Sequence, residues 1–448
     1  MTNKNILLVN PWIADFAAYD LWAKPLGLLY IGAFLRKYGY DISLLDFLDR
    51  KKWSDDPKGG KGKYNRKPID KPAILNHVKR NFSLYGATEL QLRTHLQSMK
   101  PPTAILITSH MNYWYVGVQK SIEIIRKYFP ETPVIFGGIY ATICEEHAHQ
   151  NIEADYFIKG YGEKKVLKVL DALHGISRKY KDVPEFDDSL FPPYDLYEKL
   201  ESLPLMTSRG CPMSCSFCAT KILNPEFYRR SVENLIAEVN HNYEKYSVTH
   251  YAFYDDALFS QKDKYIIPFL EEIIKLPYKF EFYSPNGLFA RPIDEKLANL
   301  MYKAGFKMVR LSLESSVSKW QEASSSKVSK EDFANAAENL RSAGFRNNDI
   351  EAYLIMGLPG QAFEDVKESL EFVYDNNAIS RLTSYTPIPG TTDWDRAVKL
   401  GLIEKDCDPL LTNNSIYPCA SEILSIEQFQ ELKDFMNRLN DKVRNQEK

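Results

Sequence analysis

The sequence predicts an α/β protein built from two parallel sheets in tandem: a doubly wound sheet over residues 1–172 and a partial barrel of six β/α repeats over 201–395. Three observations carry this. Short apolar runs alternate with stretches of helical spacing from the start of the chain, a proline-marked segment interrupts them, and the strand candidates beyond it end in polar or glycine turns.

Ile6-Leu7-Leu8-Val9 is a short apolar run ending at Asn10-Pro11, as expected of a buried parallel strand. Leu26 to Tyr38 spaces apolar residues at helical intervals, Gly39 stops it, and Ile42 to Leu45 begins a second strand. Residues 51–100 read as an insertion: a basic flexible loop with Lys58-Gly59-Gly60-Lys61-Gly62-Lys63, then about thirty residues of helix. Strand character resumes at Ala104 to Thr108, at Val134-Ile135-Phe136 before Gly137-Gly138, and at Tyr156 to Lys159 before Gly160-Tyr161-Gly162-Glu163. Residues 173–200, with Pro184, Pro192 and Pro193, read as a linker. Strands are then expected at Leu205-Met206-Thr207, His250 to Tyr254, Lys279 to Tyr283, Met308 to Leu313, Ile350 to Ile355 and Leu382 to Thr386. A helical extension, 396–448, closes the chain.

Composition narrows the function. Lys+Arg number 57 against 59 Asp+Glu, a formal charge of -2, so no global field favours nucleic acid or an anionic membrane. No apolar run reaches the length of a membrane span and no signal peptide is apparent, so a cytoplasmic location is expected. Six Cys in 448 residues cannot make a disulfide scaffold, and three of them crowd together at Cys211, Cys215 and Cys218.

That C-x3-C-x2-C run lies just after the first barrel strand. Three close thiolates without a fourth would leave one iron of a [4Fe-4S] cubane open, whereas structural zinc wants four ligands. A zinc site and three buried thiols are the bland alternatives. Cys144, Cys407 and Cys419 read as ordinary buried thiols.

With Phe217 just before the third Cys, the loop resembles the signature of the radical S-adenosylmethionine (SAM) superfamily. The resemblance extends to Tyr254-Asp255-Asp256, Arg291-Pro292-Ile293-Asp294, Leu311-Ser312-Leu313-Glu314-Ser315, Gly357-Leu358-Pro359-Gly360-Gln361 and Pro387-Ile388-Pro389-Gly390-Thr391. It implies that the open iron chelates SAM and that an electron from the reduced cluster splits SAM to a 5′-deoxyadenosyl radical. Phe217, Asp255, Asp256, Arg291, Ser312, Glu314, Gly357, Leu358 and Pro387 are then candidate SAM contacts. Glu314 suits an ammonium or a ribose hydroxyl, while Arg291 could meet the SAM carboxylate or bridge to Asp294.

The first 170 residues resemble the Rossmann-like cobalamin-binding module fused to many members of that superfamily. The resemblance makes Leu26, Gly27, Thr108, Ser109, Gly137, Gly138, Gly160, Gly162 and Glu163 candidate cobalamin contacts. Three features depart from it: Ile139-Tyr140 after Gly-Gly, Cys144 before Glu145-Glu146, and the insertion. The Asp-x-His-x-x-Gly loop by which cobalamin mutases give cobalt a histidine is missing, so a His-ligated cobalt is not expected. Trp12, Tyr19, Trp22, Tyr113, Trp114 and Tyr115 could sandwich a corrin or an apolar substrate, or simply pack.

Together the resemblances imply a cobalamin-dependent methyl transfer to carbon or phosphorus. A non-methylating radical reaction (cyclisation, ring rearrangement, carbon-sulfur bond formation) and a non-catalytic cofactor carrier are the other readings. The implied partners are a small-molecule or peptide substrate and a flavodoxin- or ferredoxin-like reductant.

Overall fold

The computed structural model describes residues 4–54 and 61–446, so Lys58-Gly59-Gly60 of the basic run lie outside the described residues. The chain divides into two compact units, Met1–Glu201 with Asp408–Leu411, and Ser202–Cys407 with Thr412–Lys448.

The first unit is a five-stranded parallel sheet of β1 (Asn5–Asn10), β2 (Asp41–Asp46), β3 (Ala104–Ile107), β4 (Val134–Phe136) and β5 (Tyr156–Phe157), in the order β5-β4-β3-β1-β2. Its helices include α1 (Leu26–Lys37), α2 (Glu89–Ser98), α3 (Tyr115–Arg126) and α4 (Glu163–Leu173). Ile6, Leu8, Phe34, Leu35, Leu106, Ile135, Leu167 and Leu170 form its core, each at most 2% exposed. This is the flavodoxin-like strand order, which reverses direction between β1 and β3, the place where such sheets bind ligands.

Two expectations need correction here. Most of the stretch foreseen as helix between residues 70 and 100 is not helical. Ile13–Asp15, Ser83–Tyr85 and Arg66–Pro68 form a three-stranded antiparallel sheet, Tyr19–Leu21 pairs with Lys61–Lys63, and only α2 is α-helical. Alternation in Phe82-Ser83-Leu84-Tyr85 serves a strand, and the helix begins only where the Thr88–Gln91 capping box satisfies its first amides. Nor are residues 173–200 a free linker. Val183 is buried in the first unit's core, with Ile176, Tyr180, Leu190 and Leu196 packed against it.

The second unit holds a six-stranded parallel sheet in chain order: β6 (Ser202–Leu205), β7 (His250–Phe253), β8 (Glu281–Tyr283), β9 (Phe306–Glu314), β10 (Ile350–Met356) and β11 (Ile379–Ser384). Its helices include α5 (Val232–Tyr246), α6 (Ile266–Lys275), α7 (Glu295–Ala304), α8 (Lys330–Ala343), α9 (Phe363–Asp375) and α10 (Ile426–Asn445). One face is apolar, with Val309, Leu311, Leu313, Ile350, Ala352 and Leu354 fully buried. Phe253, Phe282 and Phe306 of neighbouring strands stack on that side, with Phe269 of α6 edge-on to Phe253. The alternate residues Arg310, Ser312, Glu351 and Tyr353 therefore face the opposite way, into the barrel, while Glu314 follows a register shift at the end of β9 with φ +63°. The extension is part of this unit: Asn440 of α10 exchanges hydrogen bonds with the backbone of Ser380, covering part of the edge of β11.

Candidate functional site

The cysteine loop leaves β6 through a short ribbon, Ser208–Arg209 against Tyr228–Arg229. Gly210 sits at φ +78°, and a Cβ there would lie 2.4 Å from the Glu226 carbonyl, so only glycine fits this entrance. Cys211 is buried beside Ala257 and Phe289. Cys215 donates to the Ser324 carbonyl at 3.4 Å, and the exposed Cys218 lies 3.2 Å from Thr220 Oγ1. Burial pushes the Cys211 thiol up and that of Cys215 to about 11, with the nearby Lys327 ammonium opposing the shift in both.

The loop is stitched to the segment following α-helical Ser318–Ala323. Ser216 N–H donates to Ala323 O, Ser214 N–H to Ser325 Oγ, and Ser216 Oγ to Asp393. Ser325 and Ser326 both take positive φ, and the next residue, Lys327, turns inward. Its Nζ lies 2.6 Å from Glu314 Oε1 and within 6 Å of the ring centres of both Phe217 and Phe289. Burial works against the ammonium, but Glu314 and Cys215 outweigh it and raise its pKa. Lys327 was not among the sequence candidates. It lies thirteen residues beyond Glu314, in a polar run with no strand-end signal.

The structure gives several predicted contacts other duties. Asp255 is buried and accepts from Thr207 N–H, Thr207 Oγ and Ser208 Oγ, so it anchors the start of the cysteine loop and is spoken for. Asp256 is more exposed and meets Thr220 Oγ1 at 3.3 Å, on the cysteine side. Arg291 does not bridge to Asp294. It pairs with Asp332 and donates to Ser326 O, steadying the turn that carries Lys327, while Asp294 pairs with Lys262. Gly357, at φ +87°, turns against Phe429 of α10, and Gln361 accepts from its N–H. Leu358 is buried in a cluster that Phe217 packs against, Pro387 is buried, and Ser312 faces the barrel beneath Gly287.

Among the described residues, no three or more His, Cys, Asp or Glu side chains are gathered as for a single metal ion. That is compatible with a cubane, whose thiolates bind three different irons and need not converge on one point.

In the first unit, Thr108 and Ser109 follow β3 beside the Gly137-Gly138 turn, where Ile139 N–H donates to Ser109 O and Tyr140 N–H to Ser109 Oγ. Gly138 has φ +97°, and an added Cβ would lie 2.5 Å from Ser109 O. Its side therefore faces protein backbone. Gly160 N–H reaches Thr142 Oγ1, Gly162 packs on Ile31, Leu26 and Glu163 are buried, and Gly27 is open. Tyr140 turns into the core, fully buried, stacked on Tyr115 and bonded to His147. Of the aromatic set, Trp12, Trp22, Tyr113 and Tyr115 are buried and Trp114 bonds Asp15, so packing claims all but Tyr19. At the strand reversal His110 Nε2 lies 3.2 Å from Asn10 Oδ1, Asn10 donates to Asp46, and Tyr197 donates to the same carboxylate. Burial pulls the His110 pKa down to about 4.

A three-cysteine loop at the head of a six-stranded parallel barrel defines a radical SAM domain, and residues 205–373 match the Radical SAM superfamily. Residues 205–373 are accordingly a radical SAM domain. The chain is 22% identical, over 90% of its own length and 83% of the other's, to the cytidylyl-2-hydroxyethylphosphonate methyltransferase of Streptomyces wedmorensis. It is also 22% identical to the anaerobic magnesium-protoporphyrin IX monomethyl ester cyclase of Rubrivivax gelatinosus, covering 67% of this chain and 59% of that one, less than two thirds of its length. In fold it matches the radical SAM methyltransferase TsrM of Kitasatospora setae, solved with cobalamin and a [4Fe-4S] cluster, with TM-score 0.63 and 16% identity over 88% of this chain and 77% of that one.

Proposed function

We propose that this enzyme transfers a methyl group from SAM to a small organic substrate, with a [4Fe-4S] cluster held by Cys211, Cys215 and Cys218 and cobalamin held at the strand ends of the first unit. The observation that carries the reading is the cysteine loop pinned beside the buried Lys327–Glu314 pair. When bound, the cluster supplies the electron that cleaves SAM and cobalamin serves as the methyl carrier.

The chain's own residues would do the rest. SAM brings an ammonium and a carboxylate, and Glu314 and Lys327 are their charge complements, already paired with each other where the thiols lie. Phe217 and Leu358 offer an apolar wall. In the first unit, Thr108, Ser109 and the Gly137 to Gly138 turn frame the strand reversal, and the inward turn of Tyr140 keeps its bulk out of that opening. Ordinary reductants of the flavodoxin or ferredoxin type would supply the electron. Among the described residues, no helix is long and apolar enough to cross a membrane.

Anaerobic reconstitution with iron, sulfide and hydroxocobalamin tests this. Retained corrinoid, with S-adenosylhomocysteine and 5′-deoxyadenosine formed in similar amounts on turnover, would support methyl transfer. Production of 5′-deoxyadenosine with no retained corrinoid would favour the non-methylating reading, which the cyclase relative keeps in play.

A further inference from the structure

On the barrel-facing side of β9, β10 and β11 one carboxylate, that of Glu351, lies between two guanidinium groups. Glu351 Oε2 accepts from Arg310 Nε at 2.6 Å, and its other oxygen accepts from Arg381. Arg310 is buried and also donates to the Tyr353 hydroxyl at 2.8 Å, so two of its three guanidinium nitrogens are engaged. One carboxylate thus serves two guanidinium groups. The unbalanced charge falls on Arg381, whose side chain is 41% exposed and whose Nε is buried without an acceptor. Among the described residues, Glu351 is the only acceptor its guanidinium meets.

Position matters as much as charge. Arg381 lies in register with Tyr353, which lies in register with Ser312, so all three share one layer of the barrel face. Glu314 follows a register shift in β9 and pairs with Leu354, one position nearer the C-terminal mouth than Tyr353. Thr383, on the same face as Arg381 and one layer nearer the mouth, is exposed, so the space above Arg381 is open rather than packed.

We propose that Arg381 is the anion-binding residue of the substrate pocket, and that the substrate is a compact molecule bearing a carboxylate, phosphate or phosphonate. The inference rests on the function proposed above for its meaning. A planar guanidinium with an unused edge recognises such oxyanions in bidentate fashion. Arg381 thus lies one pairing position from the end of β9 that carries Glu314, which favours a compact substrate.

The test uses the full chain with its cluster reconstituted, and methylphosphonate, acetate and neutral acetamide as probes, observed by 31P or 1H line broadening. Wild type should broaden methylphosphonate or acetate, the stronger arm naming the anion class, and leave acetamide sharp. Arg381→Met should weaken that binding by about tenfold or more, and Arg381→Lys, which keeps charge but loses the fork, should fall between. Glu351→Gln should tighten it, since a competing carboxylate is neutralised, a gain that a purely structural salt bridge would not produce. Thermal unfolding identifies a variant that fails to fold, in which case the Lys and Gln variants decide. Equal broadening by wild type and the Arg381 variants, or no difference between the anions and acetamide, would overturn the proposal. Production of 5′-deoxyadenosine from SAM is assayed separately on wild type. Its absence there would fault the proposed function while leaving an Arg381-dependent anion site standing.

Discussion

Lys327 Nζ and Glu314 Oε1 are 2.6 Å apart, each side chain about nine-tenths or more buried. Breaking such a pair from one side leaves an uncompensated buried charge, typically costing about 3–5 kcal/mol. Lys327→Met should therefore lower stability strongly, and Glu314→Gln added to it should restore part of the loss. Denaturant titration of the two singles and the double is the check, and additive losses would mean that the pair is not coupled.

Glu314→Ala should also weaken SAM binding by about tenfold or more, since a charge-assisted contact is worth roughly 1.5–3 kcal/mol. Cluster content should remain. An unchanged dissociation constant in anaerobic titration would leave Glu314 as a partner of Lys327 only.

Cys211→Ala, Cys215→Ala and Cys218→Ala should each lose the cluster, because two thiolates hold a cubane poorly. Iron and sulfide analysis should find Cys144→Ala, Cys407→Ala and Cys419→Ala near wild type. Full content in any of the first three removes that Cys from the ligand set.

Asp255 and Asp256 should separate. Asp255→Ala orphans the Thr207 amide and the hydroxyls of Thr207 and Ser208, each at a cost of about 1–3 kcal/mol when buried. The expected result is a lower unfolding midpoint together with reduced iron content. Asp256→Ala should retain both, and equal effects from the two variants would contradict the anchoring role.

His110 gives a pH dependence with a defined sign. Its folded pKa, about 4, lies below the ordinary 6.5, so the unfolded chain takes up a proton first as pH falls. The native state should lose stability between pH 6.5 and 4 by an amount approaching roughly 3 kcal/mol, with no contribution above pH 7. His110→Asn should flatten that part of the curve, and a wild-type profile indistinguishable from the variant's would mean that the imidazole titrates normally.

Local chemistry decided much of what could be read along the chain. Apolar runs and glycine stops marked the strands of both sheets, and the spacing of Cys211, Cys215 and Cys218 pointed to a cubane with an open iron, because cluster ligands on one loop are neighbours in sequence. Glu314 stood out because it ends a barrel strand. Contacts between distant segments decided the rest. Lys327 enters the site only because the cysteine loop is bonded to Ala323 and Ser325, and Arg291 was diverted to Asp332 and Ser326 by the fold of that same turn. Asp255 stood as a candidate SAM contact, and the fold brings Thr207 and Ser208 to it from forty-eight and forty-seven residues away. The excess charge at Arg381 arises from register across three strands, which no periodicity within one strand encodes. A sequence determines which groups are present and how each short segment is inclined to fold; which charges are neutralised, and which are left facing open space, is settled only when tertiary packing selects their partners.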